Sequence, residues 1–477
     1  MKKIIALTLC LVCCGIAAAQ PRLTLQQLLD SARHNNITLR NAQRSVEAAS
    51  EQRKEAFTKY FPNVSGTGLW FNANHGMAKM EINPSEMIPS ELSGLASQIS
   101  QSIPAEYVAM LSQMVPAEAL AALSNPISMT MMKNGTMAGI MAMQPVFAGG
   151  QIVNGNRLAR VGEDVSRLQL QLSENEVEKT VTQYYWQVVS LEEKLKTIAA
   201  ADSLLSDITK NVEVAVKAGV ANRNDLLQVQ LRQNDLASQR LRLKNGIGIV
   251  KALLGQYCGL KPTPDPFQGG GEGVYSFKVI MPDLEQQDYL DTPPLGEGQG
   301  ESLGRLPEYQ LLEKQVEAAN LQRKMAIGQN LPTVAVGAGY NYHNLMENDR
   351  TFAMIFATVS IPISDWWGGS HAIKRRKIEH QKAVDQLSDN AQLLKIRMQN
   401  ARNSAEEAYQ QLLLSERGIE QAAENLRLHR DYYKAGTCTM SNLLEAQLLY
   451  QQAQDSRTDA FADYQNRLLE YRQAAGL

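Results

Sequence analysis

Cysteine is scarce in this chain: five in 477 residues, and three of them, Cys10, Cys13 and Cys14, fall within the first twenty positions. Beyond that stretch only Cys258 and Cys438 remain, which excludes a disulfide scaffold and leaves stability to packing. Aromatic residues make up only 6%, too few for several separate compact cores in a chain this long. The six histidines are scattered, and neither His-Glu-x-x-His nor Gly-x-Ser-x-Gly occurs. With no Cys/His cluster at zinc spacing either, no catalytic residue, resident metal or cofactor is expected. A formal net charge of −2 provides no basic field, so nucleic acid is not an expected partner. Mean hydropathy is −0.28, and beyond the N-terminus no apolar run is long enough to cross a bilayer as a helix. Any crossing must be made by strands.

The N-terminus reads as an export signal over residues 1–19: Met1-Lys2-Lys3 is positive, Ile4 to Ile16 apolar, and Ala17-Ala18-Ala19 a small-residue cleavage site. Leu9, Val12 and Cys13, which precede the three cysteines, are not the small residue that lipid attachment requires.

Self-comparison organises the rest. The segment Lys217-Ala218-Gly219 to Leu231 overlies Lys434-Ala435-Gly436 to Leu448 with 7 identities in 15, at an offset of 217. The same offset carries Pro145 onto Pro362. Upstream, Pro62-Asn63-Val64 pairs with Pro332-Thr333-Val334 at an offset of 270, so an insertion of 53 residues separates the landmarks of the first copy. The chain therefore divides into a first repeat at 20–260, a linker at 261–303 and a second repeat at 304–477. Gly269-Gly270-Gly271, Pro293-Pro294 and Gly296-Glu297-Gly298 mark the linker as irregular.

Within each repeat the hydrophobic period changes twice. Leu23 to Tyr60 reads as helix, stopped by Pro62. Strands follow at about 63–72 and 136–147 in the first copy, and at about 333–343 and 352–364 in the second. In the first copy Val64, Gly66, Gly68 and Trp70 face one way and Ser65, Thr67, Leu69 and Phe71 the other. In the second, Val334, Val336, Ala338, Tyr340 and Tyr342 oppose Thr333, Ala335, Gly337, Gly339 and Asn341. One apolar face and one small or polar face suit a strand between lipid and a wet lumen. Trp70, Tyr340 and Tyr342 are expected at strand ends as membrane-interface anchors. Pro62, Pro145, Pro332 and Pro362 mark the passages between strand and helix. Four strands cannot close a barrel, and open edges are not tolerated in lipid, so subunits must pool them; three chains would supply twelve.

Long helical hairpins follow, at about 151–257 with a tip near Gly219 and at about 368–474 with a tip near Gly436. Val177, Val181, Tyr184, Val188, Leu191, Leu195, Ile198, Leu205, Ile208 and Val212 form a heptad seam. Leu394, Met398, Ala401, Ala405, Ala408 and Leu412 repeat the register with smaller residues. Cys258 and Cys438 then lie far apart along the hairpins, and both are expected to be free thiols.

This plan, together with Gln144-Pro145-Val146-Phe147-Ala148-Gly149-Gly150 and the paired Lys-Ala-Gly…Leu-Leu tips, resembles the TolC family of trimeric outer-membrane efflux proteins along nearly the whole chain. The resemblance implies a mainly α fold with a small membrane β part: a homotrimeric twelve-stranded β-barrel continuing into a periplasmic α-helical barrel. It also implies the outer membrane of a Gram-negative bacterium, lipid around the strands, docking to a periplasmic adaptor, and an inner-membrane pump of RND or ABC type. In that family the hairpin tips close the periplasmic entrance. Asp225 and Tyr433 match gate positions, Cys438 stands where an arginine is expected, and Asn442 and Glu445 fall on an acidic ring, which keeps one charge of two. Asp225 and Glu445 also suit plain helix-start carboxylates. Leu226, Leu227, Leu443 and Leu444 suit either tip packing or adaptor docking.

The insertion at about 73–135 is the unusual feature, since Met77 to Met143 hold 11 of the 18 methionines. Thioethers can bind soft Cu(I), yet their irregular spacing among Leu, Ile, Ala and Pro reads as a loosely packed helical cap or plug. The functions in view are a passive duct for drug efflux, type I protein secretion or metal-ion export, and a non-conducting envelope-spanning scaffold.

Overall fold

The computed structural model describes residues 22–75, 78–82, 127–131, 134–262, 277–280, 303–344, 350–363 and 365–477. The leader at 1–19 and most of the insertion and linker lie outside the described residues. The chain forms two compact units, one built from Met1–Lys54, Gly155–Arg323 and Lys374–Leu477, the other from Glu55–Asn154 and Lys324–Ile373.

The second unit holds a four-stranded antiparallel sheet of β2 (Asn63–Asn72), β5 (Asn134–Ala148), β7 (Thr333–Asn344) and β8 (Arg350–Ser360), in the order β2-β5-β7-β8. Two strands come from each repeat, and the repeats join where β5 pairs with β7. Three boundaries differ from expectation. Strand β8 ends at Ser360 because Pro362 has no N–H to continue a ladder. Pro145 lies inside the central strand β5 rather than at its end; the ladder shifts register between Pro145 and Phe147, a β-bulge that accommodates the missing donor. The insertion begins and ends as strand, not helix: β3 (Ala78–Ile82) pairs antiparallel with β4 (Ile127–Met131).

The first unit is helical. Strand β1 (Arg22–Leu23) precedes α1 (Leu25–Asn35), which opens with a capping box: Gln27 N donates to Thr24 Oγ1 at 3.2 Å and Thr24 N to Gln27 Oε1 at 3.0 Å. The stretch read as one helix from Leu23 to Tyr60 breaks at Asn36. Its extended backbone starts α2 (Ile37–Thr58), its Oδ1 accepts from Thr38 N and Leu39 N, and its Nδ2 donates to Tyr257 O at 2.9 Å. The linker also contributes a strand, β6 (Lys278–Val279), which pairs in parallel with β1.

The long helices are α3 (Gln151–Lys217), α4 (Arg223–Tyr257), α5 (Pro307–Gln329), α6 (Asp365–Lys434) and α7 (Met440–Ala475). None of the described helices is long and apolar enough to cross a membrane. Their packing follows the heptad seam: Val177, Val181, Val188, Ile198, Leu205, Ile208 and Val212 are buried. The seam is wider than read, since Tyr185, Trp186 and Val189 are buried too, and Trp186 meets Phe461 edge-on at 5.2 Å between ring centroids. These residues join Leu28, Leu29 and Leu39 from the N-terminal helices and Leu254 and Cys258 from α4 in one cluster. Each large apolar side chain fully buried there contributes about 2 kcal/mol. Glu163, 3% exposed, bridges Arg53 at 2.9 Å and Arg167 at 2.6 Å, pinning α2 to α3 with its charge doubly paired.

One carboxylate in this unit is poorly served. Burial pushes the Asp455 acid up to about 6, with Asp459 adding to the rise and Lys194 opposing it, and its Oδ1 accepts no hydrogen bond among the described residues. Its neutral form therefore supports the fold fully below about pH 4, and that contribution is lost as pH rises through about 6. Asp455→Asn should raise stability at pH 7.5 by about 1 kcal/mol after allowance for solvent screening, with the gain vanishing near pH 4. Thermal unfolding of both proteins across that pH range, followed by circular dichroism in detergent, checks this.

Candidate functional site: a two-faced sheet and the hairpin tips

Register assigns every sheet residue to one of two faces, because successive side chains alternate. On the outer face Val64–Ala142–Ala338–Ile355 form one cross-strand row and Gly66–Ile140–Tyr340–Ala353 the next. Val64, Ile140, Tyr340, Ile355 and Val359 are all at least 60% exposed, an apolar surface that none of the described residues covers. The opposite face carries Asn63, Ser65, Thr67, Thr333, Asn341, Thr358 and Ser360 among glycines, methionines and Phe352 and Phe356.

Trp70, Tyr342 and Tyr340 occupy successive rows of the outer face toward one end of the sheet. Trp70 and Tyr340 are 71% and 60% exposed, and Tyr340 stands further in than a strand end. A second aromatic group lies at the other end of the strands and was not read from the sequence. Phe57, Tyr60 and Phe61 meet edge-on at 5.6 Å, all three exposed, and Gln144 Nε2 donates to Tyr60 O at 3.1 Å. The signal was present as Phe-Thr-Lys-Tyr-Phe before Pro62, but its spacing fits a buried helix end equally well.

One device closes four helix ends, two of them at the tips. Gly219, Gly259, Gly436 and Gly476 all adopt positive φ, between 66° and 74°. At the first tip Val220 N reaches Ala215 O and Gly219 N reaches Val216 O; at the second, Thr437 N reaches Tyr432 O and Gly436 N reaches Tyr433 O. These paired bonds are a Schellman closure, and the left-handed residue it requires is where glycine avoids steric cost.

Around these turns the predicted residues separate into two groups. Tyr433 and Cys438 are half-buried; burial raises the Tyr433 phenol, and the nearby Asp225 carboxylate raises it further, so the structure brings Asp225 and Tyr433 together across the two hairpins. The Asp225 carboxylate also accepts from Asn222 N at 3.3 Å, a helix-start role held at the same time. Cys438 does not supply the expected cation: its thiol points to His429 O at 3.4 Å, and burial raises its pKa. Asn442 and Glu445 are exposed, with Asn442 N capped by Thr439 Oγ1 at 3.3 Å. Leu443 is 2% exposed, and Leu226 and Leu444 pack on the same cluster, whereas Leu227 stays 48% exposed. Cys258 is a buried free thiol whose pKa burial pushes up to about 12. Among the described residues no group of three or more His, Cys, Asp or Glu side chains could hold a metal ion.

A polar ladder near the tips escaped sequence reasoning. Arg232 of α4 donates to Gln451 Oε1 at 3.0 Å and Gln447 Oε1 at 3.5 Å, with Asp235 balancing its charge, and Gln451 Nε2 reaches back to Gln239 at 3.2 Å. Gln447 and Gln451 are 2% and 4% exposed on α7. This ladder ties one repeat's return helix to the other's. Only a spatial neighbour distinguishes such glutamines from the many exposed ones.

The comparisons follow this architecture. The family model described as outer membrane efflux protein matches residues 300–477. The outer membrane protein VceC of Vibrio cholerae is similar at 14% identity and a TM-score of 0.68, over 95% of this chain and 96% of that one. The CmeC outer membrane channel of Campylobacter jejuni is similar at 14% identity and 0.70, over 95% and 85%. The open-state MtrE outer membrane channel of Neisseria gonorrhoeae gives 15% and 0.68, over 96% and 89%. The fold is that of the TolC-family outer-membrane channels. No curated protein matches the sequence. The family match covers the second repeat and the likeness in fold spans nearly the whole chain, so the resemblance read from the tips and the strand–hairpin plan is borne out.

Within this TolC-family fold the Arg232 ladder is a buried polar network, so deleting its cation removes the donor to the Oε1 atoms of Gln447 and Gln451. Arg232→Met should cost about 1–3 kcal/mol and loosen the packing of α4 on α7 near the tips. Hydrogen exchange of the segments around Gln447 and Val229 should report faster opening.

Proposed function

We propose that the chain is one protomer of a homotrimeric outer-membrane export channel that passively conducts substrates received from a periplasmic adaptor and an inner-membrane pump of RND or ABC type. The observation that carries this reading is the division of the sheet: an exposed apolar outer face, and an inner face that mixes glycines, Asn, Ser, Thr and methionines with Leu69, Phe71, Phe352 and Phe356. Strands β2 and β8 are the outer members of the sheet, each paired on one side only among the described residues. Three chains joined through those edges make twelve strands with no free edge. Trp70, Tyr340 and Tyr342 then mark one lipid interface, and Phe57, Tyr60 and Phe61 suit the other.

At the tips, the apolar side chains of Val214, Val220, Leu227 and Leu231 are between 48% and 83% exposed. They suit docking to an adaptor, while Leu226, Leu443 and Leu444 hold the tip together. Asp225 and Tyr433 pair as a latch between the hairpins. In a trimer the exposed Glu445 recurs three times around the entrance, a ring that concentrates cations. Without an arginine at Cys438, the latch lacks the cation that the resemblance implies.

Reconstituted into planar bilayers, the protein should give discrete conductance steps; a scaffold without a pore gives none. Glu445→Gln should raise the trivalent cation concentration for half-block by about threefold or more. Unchanged block would remove Glu445 from the entrance ring.

A further inference from the structure

The register exposes a pattern that one-dimensional spacing hides. Met137, Met141 and Met143 of β5 all lie on the inner face, and so does Met354 of β8. In one cross-strand row the order is Ser65–Met141–Gly339–Met354. Two methionines thus flank a residue with no side chain, their Cα atoms about 10 Å apart across two strand spacings. A Cβ at Gly339 would stand 3.7 Å from Met354 Cγ, so the Met354 side chain lies beside the glycine that separates it from Met141. The neighbouring notch is used differently: a Cβ at Gly337 would overlap the Phe356 ring, which fills that position. Phe356 closes the Gly337 slot, whereas at Gly339 no atom of the described residues beyond its chain neighbours comes nearer than 3.4 Å to where a Cβ would stand, Asn341 Nδ2 being the nearest.

We propose that Met141 and Met354, facing each other across Gly339, bind a soft monovalent cation, Cu(I) or Ag(I), on the inner face of the sheet, with Met143 one row away as an exchange ligand. This assignment rests on the reading of that face as the lumen of an export channel. Thioethers are soft, uncharged donors that select such ions over Na⁺, K⁺ or Mg²⁺. A conduit needs binding strong enough to admit an ion and weak enough to release it, which neutral thioethers provide better than thiolates. The same-face rows on either side of the pair carry no fixed positive charge: Thr67–Gly139–Asn341–Phe352 on one side and Asn63–Met143–Gly337–Phe356 on the other. The Met137 row is less suitable. It contains His343, whose Nδ1 has no hydrogen-bond partner among the described residues, but also Arg350 directly opposite, whose charge repels a cation.

Silver is the probe, because it reports the soft site without redox chemistry. Equilibrium dialysis of the purified, detergent-solubilised protein against silver nitrate in chloride-free buffer, in a Cys258→Ala/Cys438→Ser background, removes competition from the two thiols. The parent should bind at least one Ag⁺ per chain that Met141→Leu and Met354→Leu each weaken tenfold or more, since a two-donor site needs both. Met137→Leu should change that affinity less than twofold. Leucine conserves volume, and unchanged circular dichroism and trimer elution certify each variant. Equal silver binding in parent and in Met141→Leu/Met354→Leu would overturn the assignment and leave the methionines as an adaptable apolar lining. A parent that binds silver in this way but never conducts in bilayers would count against the channel and not against the site.

Discussion

A strand edge in hydrocarbon has no solvent to satisfy its N–H and C=O groups, and each such group left unpaired costs several kcal/mol. On the proposed reading, the strand-bearing unit answers to that constraint. Four strands leave two edges, at β2 and β8, and four strands cannot curl far enough to pair them with each other. If the sheet stands in lipid as proposed, assembly is a condition of insertion, since a lone protomer would present both edges to hydrocarbon. The duplicated chain is an economical response: each repeat contributes a hairpin's worth of strand, and the β5–β7 pairing makes the two repeats one surface.

Much of this was legible in the sequence, and for identifiable reasons. Pro62 and Pro332 each stand one residue before a strand, and alternation then assigned the faces of β2 and β7 correctly. The tips were legible because glycine beside a lysine-alanine pair, repeated at a fixed offset, has few other uses. What escaped was non-local. Asn36 looks like an ordinary helical residue until Tyr257 O, 221 positions away, accepts its amide. The Lys278-Val279 strand is too short to carry a period, and Arg232 declares itself only against Gln447 and Gln451. Met137, Met141 and Met143 fall in the strand expected at about 136–147, but that they share a face with Met354, and Met141 a row, is set by pairing register, which a single strand does not encode.

The helical unit balances apolar seams with a few buried polar ties. Glu163 with two arginines, and Arg232 with two glutamines, sit where neighbouring helices could otherwise slide along uniform rows of leucine and alanine. Apolar packing supplies most of the stabilisation but is tolerant of register; a hydrogen-bonded cation is not. Asp455 is the exception, a carboxylate kept in the same helical body at a cost in stability near neutral pH.

The four left-handed glycines that close helices have a further consequence. Gly259 follows Gly219 by 40 positions, and Gly476 follows Gly436 by the same 40. Each return helix is thus a ruler with a fixed stop at both ends. One added residue would rotate everything beyond it by about 100° and advance it by about 1.5 Å, turning Gln447 or Arg232 away from its partner. Changes in length are therefore confined in this chain to segments outside the rulers, and the region after β2 is where the first repeat has grown. A protein of this design can acquire new surface at its loops, while its hairpins can change in composition but not in length.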